Sequence, residues 1–372
     1  MALKFKTDKE ILLKAIQPAM YAASNKTTLP ALEGLLFSIC ENELTVCGYD
    51  QERGIKTTNV VFGIEDGSLV LNAKKIWGII LNFPDGEIKI ECDQNNIARI
   101  TGGMSDFSIH GLSSDLFPSL PELTGENSFN ISSKLLKDII QTTSYAVAQT
   151  DARPILLGEF FKIENTKITV VAADNFRLAM REEFLGVGSN NSKFSFVVPG
   201  KTLSDFAKII DENEEVINVE FTKKYIIFSY KEIIVFSRLF EGEYLDYSKV
   251  IPTDPKTFVT INKEAFIECL ERTMLINDEK QKTPICCKFC DNTLNVSCFS
   301  QYGTVNDIIP ITLVGKEIEI GFNIKYLIET LRACKEDELS ITLFSPFMAM
   351  IINPINDDEK SKSMYLVLPR RL

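Results

Sequence analysis

The chain has one histidine in 372 residues. A serine or cysteine relay needs a positioned base, and imidazole is the usual one. His110 falls in a strand-like run, Asp106-Phe107-Ser108-Ile109-His110, with no obvious nucleophile motif or carboxylate partner beside it. No Gly-x-Ser-x-Gly elbow occurs either, so a hydrolase is not expected. Long apolar runs are also missing. None approaches the roughly 18–20 residues that span a bilayer. The first residues, MALKFKTDKEILLKAI, lack a long apolar core with a small-residue cleavage site and read as a strand followed by an amphipathic helix. No targeting signal is expected.

The nine cysteines form no framework spacing, and an odd count favours reduced thiols in a cytoplasmic protein. Cys287-Lys288-Phe289-Cys290 has the spacing of a metal-ligand pair, but in a strand residues three apart point to opposite faces. No second such pair exists, so no metal and no cofactor is expected. Val198-Pro199-Gly200-Lys201-Thr202 lies between a strand and a helix, as a phosphate loop would. A full loop needs glycine where Ser195 stands, and Phe196–Pro199 reads as buried strand and helix start rather than an anion nest. The acidic run Asp211-Glu212-Asn213-Glu214-Glu215 reads as a solvated loop.

An internal repeat is the strongest pattern present. Pro30 to Asp50 (PALEGLLFSICENELTVCGYD) and Pro154 to Asp174 (PILLGEFFKIENTKITVVAAD) have the same length. Each has glycine four residues after the proline (Gly34, Gly158), a strand, an Asn turn (Asn42, Asn165) and a second strand. A third copy starts at Pro284, is shorter, and carries Lys288 at the glycine position. Amphipathic helices are expected before each proline, at Asp8–Tyr21, Ile131–Ala148 and Asn262–Ile276. A second helix is expected after each hairpin, at Asn72–Leu81, Pro199–Ile210 and Asn323–Lys335, followed by the alternating strands EIKIEC, EVINVEF and ELSITLF. Three α+β layer domains follow, with boundaries at 1–126, 127–253 and 254–372. Polar, proline-containing linkers Pro118–Asn127 and Pro252–Lys256 separate them.

The net charge of −11 conceals an asymmetry. The six helices carry thirteen basic and eight acidic residues, net +5, which leaves −16 elsewhere. If the helices share one side, that side is basic and suits contact with phosphates.

Several segments together resemble the bacterial DNA sliding clamp, the β subunit of DNA polymerase III. They are Thr28–Gly34, Phe117–Pro121, Ala172–Ala179, Tyr244–Tyr247, Val250–Pro252 and the ending Tyr365-Leu366-Val367-Leu368-Pro369-Arg370-Arg371-Leu372. The resemblance spans essentially the whole chain. It implies three tandem repeats of the DNA-clamp domain and a head-to-tail homodimer forming a six-domain ring, helices inside and sheets outside. It implies no catalytic residues: a clamp loader opens the ring, which then tethers the polymerase to double-stranded DNA without reading sequence. Other replication and repair proteins would dock by short linear peptides.

The family's hydrophobic peptide cleft maps onto Ala173, Asn175, Phe176, Arg177 and Leu178, then onto Leu245, Lys249 and Val250. It continues onto Asn323, Tyr326, Phe347 and Ala349 and the tail residues Val367, Leu368, Pro369, Arg370, Arg371 and Leu372. Apolar members would take peptide anchors, while Arg177 and Asn323 would fix the peptide backbone. Ala173, Phe176, Leu245 and Arg370 depart from the residues frequent in the family. DNA contacts would come from Ser24, Asn25, Lys26, Lys74, Lys75, Lys137, Gln149, Arg153 and Lys201. The dimer interface would use Ile79, Phe83, Phe107 and Ile109 against Leu275 and Ile276. Rival readings are a clamp-fold scaffold that binds peptides without encircling DNA, and a nucleotide-dependent enzyme using Gly200-Lys201-Thr202.

Overall fold

The computed structural model describes residues 3–24, 27–120, 126–185, 193–277, 283–355 and 361–372. They form two compact units, Met1–Leu135 with Asp205–Leu239 and Leu136–Ser204 with Phe240–Leu372. Sheet continuity decides this division, because each unit holds a large antiparallel sheet built from two sequence repeats.

In the first unit, eight strands run in the order Asn127–Ser132, Val216–Phe221, Tyr225–Tyr230, Ile233–Arg238, Arg53–Val60, Glu43–Tyr49, Gly34–Cys40 and Gly67–Asn72. The repeats meet where Arg53–Val60 pairs with Ile233–Arg238. A five-stranded sheet in the same unit ends on Ser105–His110. The second unit repeats the plan. Its nine-stranded sheet joins two repeats where Arg177–Phe184 pairs with Lys362–Val367, and its four-stranded sheet ends on Gly303–Pro310.

Among the described residues, six α-helices lie on these sheets: α1 Lys9–Met20, α2 Ala73–Asn82, α3 Ser133–Thr143, α4 Gly200–Ile209, α5 Lys263–Met274 and α6 Ile324–Ala333. Side-chain caps fix four starts. Asn72, Asn262 and Asn323 accept from the backbone N–H of Lys75, Ala265 and Lys325 at 3.1, 3.0 and 3.0 Å, and Ser132 accepts from Leu135 at 3.2 Å. Ile131 is not helical as the periodicity implied; it is a buried strand residue opposite Ile217, and α3 begins two residues later. Pro199 likewise ends strand Lys193–Pro199, where the ladder against Gly158 holds it ahead of the helix.

The repeat glycines are forced by packing. A Cβ on Gly34 would lie 2.5 Å from Val70 Cγ1, and one on Gly158 would lie 2.6 Å from the Val198 carbonyl oxygen. Each begins its strand opposite a helix-cap residue, Asn72 or Pro199. In the third repeat Ile285 faces Phe322, so the place before the cap residue Asn323 falls to Pro284, not to Lys288. The 3-10 turns Pro30–Glu33 and Pro154–Leu157 have no counterpart among the described residues there, which explains the misalignment on proline. The hairpin is not short: Thr293–Ser300 has eight residues against seven in each earlier copy.

Each unit has its own core. Leu3, Phe5, Leu12, Ile16 and Phe37 lie at its centre in the first, and Phe266, Phe289, Phe322, Leu327 and Tyr365 in the second. Each fully buried side chain of this size contributes about 1.5–3 kcal/mol. All nine cysteines are free thiols. Cys287 is buried, which pushes its thiol well up, while Cys290 is only partly buried on the opposite face of strand Ile285–Cys290. Among the described residues, no helix is long and apolar enough to cross a membrane.

Candidate functional site

The second unit carries a groove of about 940 Å³. Its walls include Asn175, Phe176, Arg177, Asn323, Tyr326, Leu368, Pro369 and Arg370. Four further residues expected at the cleft lie on or around an adjoining apolar cluster. Ala173, Leu178 and Ala349 are buried in it with Val171 and Leu366, and Leu245 packs on it with Leu368. Leu368 belongs to both, so the groove and the apolar floor share one wall. Tyr244 stacks on Phe160 with ring centroids 5.2 Å apart and closes this floor. Phe347 is 82 % exposed, and Val250 and Leu372 are also exposed. Val367 is fully buried, opposite Arg177 in the sheet, and therefore supports the floor instead of lining it. Lys249 pairs with Asp246 at 2.9 Å.

The expected role of Arg177 is not what the geometry provides. Its guanidinium is buried between the rings of Tyr145 and Tyr326, 5.2 and 4.8 Å from their centroids. It pairs with Asp174 at 3.1 Å and also with Glu329. With its donors committed to two carboxylates, Arg177 shapes the groove and is not a free hand for a peptide. Asn323 lines the groove and spends its side-chain carbonyl on capping α6. Phe176 stacks on Tyr326 at 5.6 Å and is half exposed, an aromatic shelf at the mouth. Tyr145, Asp174 and Glu329 were missed by sequence reasoning. Asp174 ends the repeated hairpin, and the repeat relates Glu329 to Asp205; either fact could have found them.

The basic residues divide into engaged and free. Lys9, Lys134, Lys208, Arg272, Arg332 and Lys335 pair with acids, and Lys263 is turned inward onto the carbonyls of Cys334 and Lys335. Lys14, Lys74, Lys75 and Lys201 are exposed and make no ion pair among the described residues. The net +5 of the helices therefore overstates the available charge. Arg153 is tied up as well: it pairs with Asp151 at 3.2 Å and donates to Asn175 at 2.8 Å, and it holds the Asp151 carboxyl below its usual range. Gln149 lines the groove, and the Ser24 backbone N–H donates to the Leu32 carbonyl. Asn25 and Lys26 lie outside the described residues. The acidic run is not simply solvated. Lys231 pairs with Asp211 and Glu215 at 2.8 and 3.0 Å, and its ammonium is the main reason that the Asp211 carboxyl falls to about 2.

Of the expected interface residues, Phe107 and Leu275 are exposed, and Ile79, Ile109 and Ile276 are partly buried. Phe83 is a correction: it is buried and packs under Phe107, ring centroids 5.5 Å apart, so it braces the surface without forming it. Leu81, Met104 and Phe299 are exposed apolar residues that the sequence reading did not select. The start of α4 shows why no phosphate loop forms. A Cβ on Gly200 would lie 2.9 Å from Val147 Cγ1, so this helix start is packed shut.

Three family models match in succession: the DNA polymerase III beta subunit N-terminal domain over residues 3–121, its central domain over 130–246 and its C-terminal domain over 248–371. The chain belongs to the DNA polymerase III beta subunit family. It is 32 % identical to the beta sliding clamp of Halalkalibacterium halodurans, over 99 % of this chain and 100 % of that one. A crystal structure described as a putative DNA polymerase III beta subunit from Eubacterium rectale superposes with a TM-score of 0.93 at 32 % identity, covering 100 % of both chains. The DNA polymerase sliding clamp of Bacillus subtilis gives 0.94 at 28 % identity, again over 100 % of both.

Proposed function

We propose that two copies of this chain close head to tail into a ring that encircles double-stranded DNA. The ring confers processivity on the replicative polymerase, with domains at 1–126, 127–253 and 254–372. One observation carries this reading. Within each unit, the strand after a repeat's hairpin pairs with the last strand of the next repeat: Arg53–Val60 with Ile233–Arg238, and Arg177–Phe184 with Lys362–Val367. The third such strand, Gly303–Pro310, is a sheet edge, and so, among the described residues, is the last strand left unused, Ser105–His110. A second copy satisfies both edges, in the same way that two edge strands complete a sheet.

The helices then line the hole, and Lys14, Lys74, Lys75 and Lys201 meet phosphates, with Lys137, Ser24 and Gln149 nearby. Nothing need be read in the bases, so the ring slides. The protein is non-catalytic and cytoplasmic, and a clamp loader supplies the energy for opening. Partner proteins dock a short peptide with its apolar anchors on Leu178, Leu245 and Leu368 and its flank along the groove to Tyr326. The test is retention on DNA. The ring should stay on nicked circular DNA through gel filtration and run off once the DNA is linearised. Equal loss from both forms, with only monomer in light scattering, would remove this reading.

A further inference from the structure

Building on the peptide-cleft reading, we infer that Arg370 makes this groove selective for peptides carrying an acidic side chain beside the apolar anchors. The backbone fixes where Arg370 stands. Its N–H donates to the Gly321 carbonyl at 2.7 Å, and a Cβ on Gly321 would lie 2.3 Å from the Arg370 carbonyl oxygen, so the tail lies tight on strand Ile318–Phe322. From there the side chain forms part of the groove wall with Tyr326 and Leu368.

The acids that could neutralise it are already spent. Asp174 accepts from the backbone N–H groups of Phe176 and Arg177 at 2.7 and 2.9 Å and pairs with the Arg177 guanidinium. Glu329 pairs with Arg177 and, at 4.0 Å, with Lys325. Arg370 itself makes no ion pair among the described residues. Arg371, the next residue, is exposed. The groove therefore presents positive charge in a protein whose net charge is −11. A guanidinium next to an apolar wall is a fork for a carboxylate, and the same wall excludes water from the pair. The occupant is the acidic side chain of an internal segment. The groove wall runs on to Asn277, Thr283 and Gln149, so a free chain end is not required.

The experiment is fluorescence anisotropy with labelled decapeptides that share two leucine anchors and carry Asp, Asn or Lys at each flanking position in turn. On the unaltered protein at moderate salt, the best Asp peptide should bind about 5–10-fold tighter than its Asn counterpart, the scale of one partly screened ion pair. Arg370→Met should bring that ratio near 1, and Arg370→Glu should make the Lys peptide the tightest. An Asp preference that survives Arg370→Met, or a ratio within twofold on the unaltered protein, overturns the inference and leaves the cleft intact. Failure of every peptide to bind the unaltered protein would instead overturn the cleft reading itself.

Discussion

Arg53 and Arg177 occupy the same place in two units and make the same two contacts. Each pairs with an aspartate three residues earlier, Asp50 or Asp174, and with an acid 152 residues later, Asp205 or Glu329. Each is the first residue of an eight-residue strand that joins two repeats, and each acid is the sixth residue of a ten-residue helix. The buried arginine thus ties the hairpin of one repeat to the helix of the next. Removing it strands two carboxylates near the interior, which costs about 3 kcal/mol or more. Trp77, the one tryptophan, lies on α2 in the first unit and reports that unit alone. Arg53→Met should therefore lower the urea midpoint seen by Trp77 fluorescence. Arg177→Met should leave that midpoint in place and shift the far-UV circular dichroism transition. Equal movement of the Trp77 signal in both variants would mean that the two ties do not act locally.

At the third junction, the one proposed to form between copies, both halves of this tie are missing. Gly303 opens the corresponding strand with φ at 139°, a conformation that a side chain rarely adopts, and Gly78 is the sixth residue of α2. A Cβ on either residue would meet nothing within 4 Å. On the proposed closure, the contact between copies would therefore rest on strand pairing and apolar contact around Phe107 and Leu275. Its register follows from the intrachain junctions. Arg53 faces Ser237 and Arg177 faces Val367, at or beside the end of the partner strand. The inward residues of the open edges are Val305 and Phe107, which pack toward their own cores. Matching inward faces sets Gly303 opposite Ile109 and Val305 opposite Phe107. A chain carrying Phe107→Cys with Val305→Cys should give a covalent dimer on a non-reducing gel after mild oxidation. Either single variant should not, nor should Phe107→Cys with Asn306→Cys.

The sequence made the triple repeat readable because glycine, the Asn turn and the alternating strands recur wherever packing demands them. Gly34 and Gly158 are forced by a neighbouring strand, and Asn165 sits at φ 58° in its turn. Less legible was where one repeat ends and its neighbour's sheet begins. Period-two alternation marks a strand but does not name its partner, so Arg53–Val60 gave no sign of pairing with Ile233–Arg238. At the candidate cleft, the sequence pointed to apolar residues but carried no sign of the electrostatics. Arg177 looks the same in a sequence whether its guanidinium is free or held by Asp174 and Glu329. The same applies to the basic residues, where pairing separates Lys74 and Lys75 from Lys134 and Lys263.

Glu159 gives the protein a pH dependence that carboxylates rarely confer. It is fully buried, accepts from the Thr143 hydroxyl at 2.6 Å and contacts the Ser144 hydroxyl, and it pairs with no cation among the described residues. Burial raises its carboxyl from 4.5 to about 7, and the buried Tyr244 phenol is the other ionisable group affected by it. Between these two values the folded chain keeps a proton that the unfolded chain has released. Stability therefore falls as pH rises through that window and levels off above it, by about 3 kcal/mol in all. Glu159→Gln keeps the hydrogen bonds and cannot ionise. The stability of the unaltered protein relative to this variant should decline by about that amount from pH 4.5 to pH 8 in urea titrations. A difference that stays flat with pH would mean that Glu159 is ionised in the fold throughout.

Lys74 and Lys75 make the charge on the helices testable without disturbing the fold. Both are exposed in the first turn of α2, and neither pairs with an acid among the described residues, so reversing them breaks no internal contact. Lys75 contributes its backbone N–H to the Asn72 cap, and that bond survives any side-chain change. Acids are also favoured in the first turn of a helix, so Lys74→Glu with Lys75→Glu should leave thermal stability unchanged or slightly higher. On DNA the effect should be opposite in sign. Each lost phosphate contact removes close to one unit from the slope of log affinity against log salt, so the double variant should lower that slope by about 2 and shorten retention on nicked circles. Reversing Lys263 and Arg332 provides the contrast. Lys263 caps buried carbonyls and Arg332 pairs with Glu271 at 2.7 Å, so these changes should cost stability before they alter the salt slope. If Lys74 and Lys75 reversal left both slope and retention unchanged, α2 would not face the DNA.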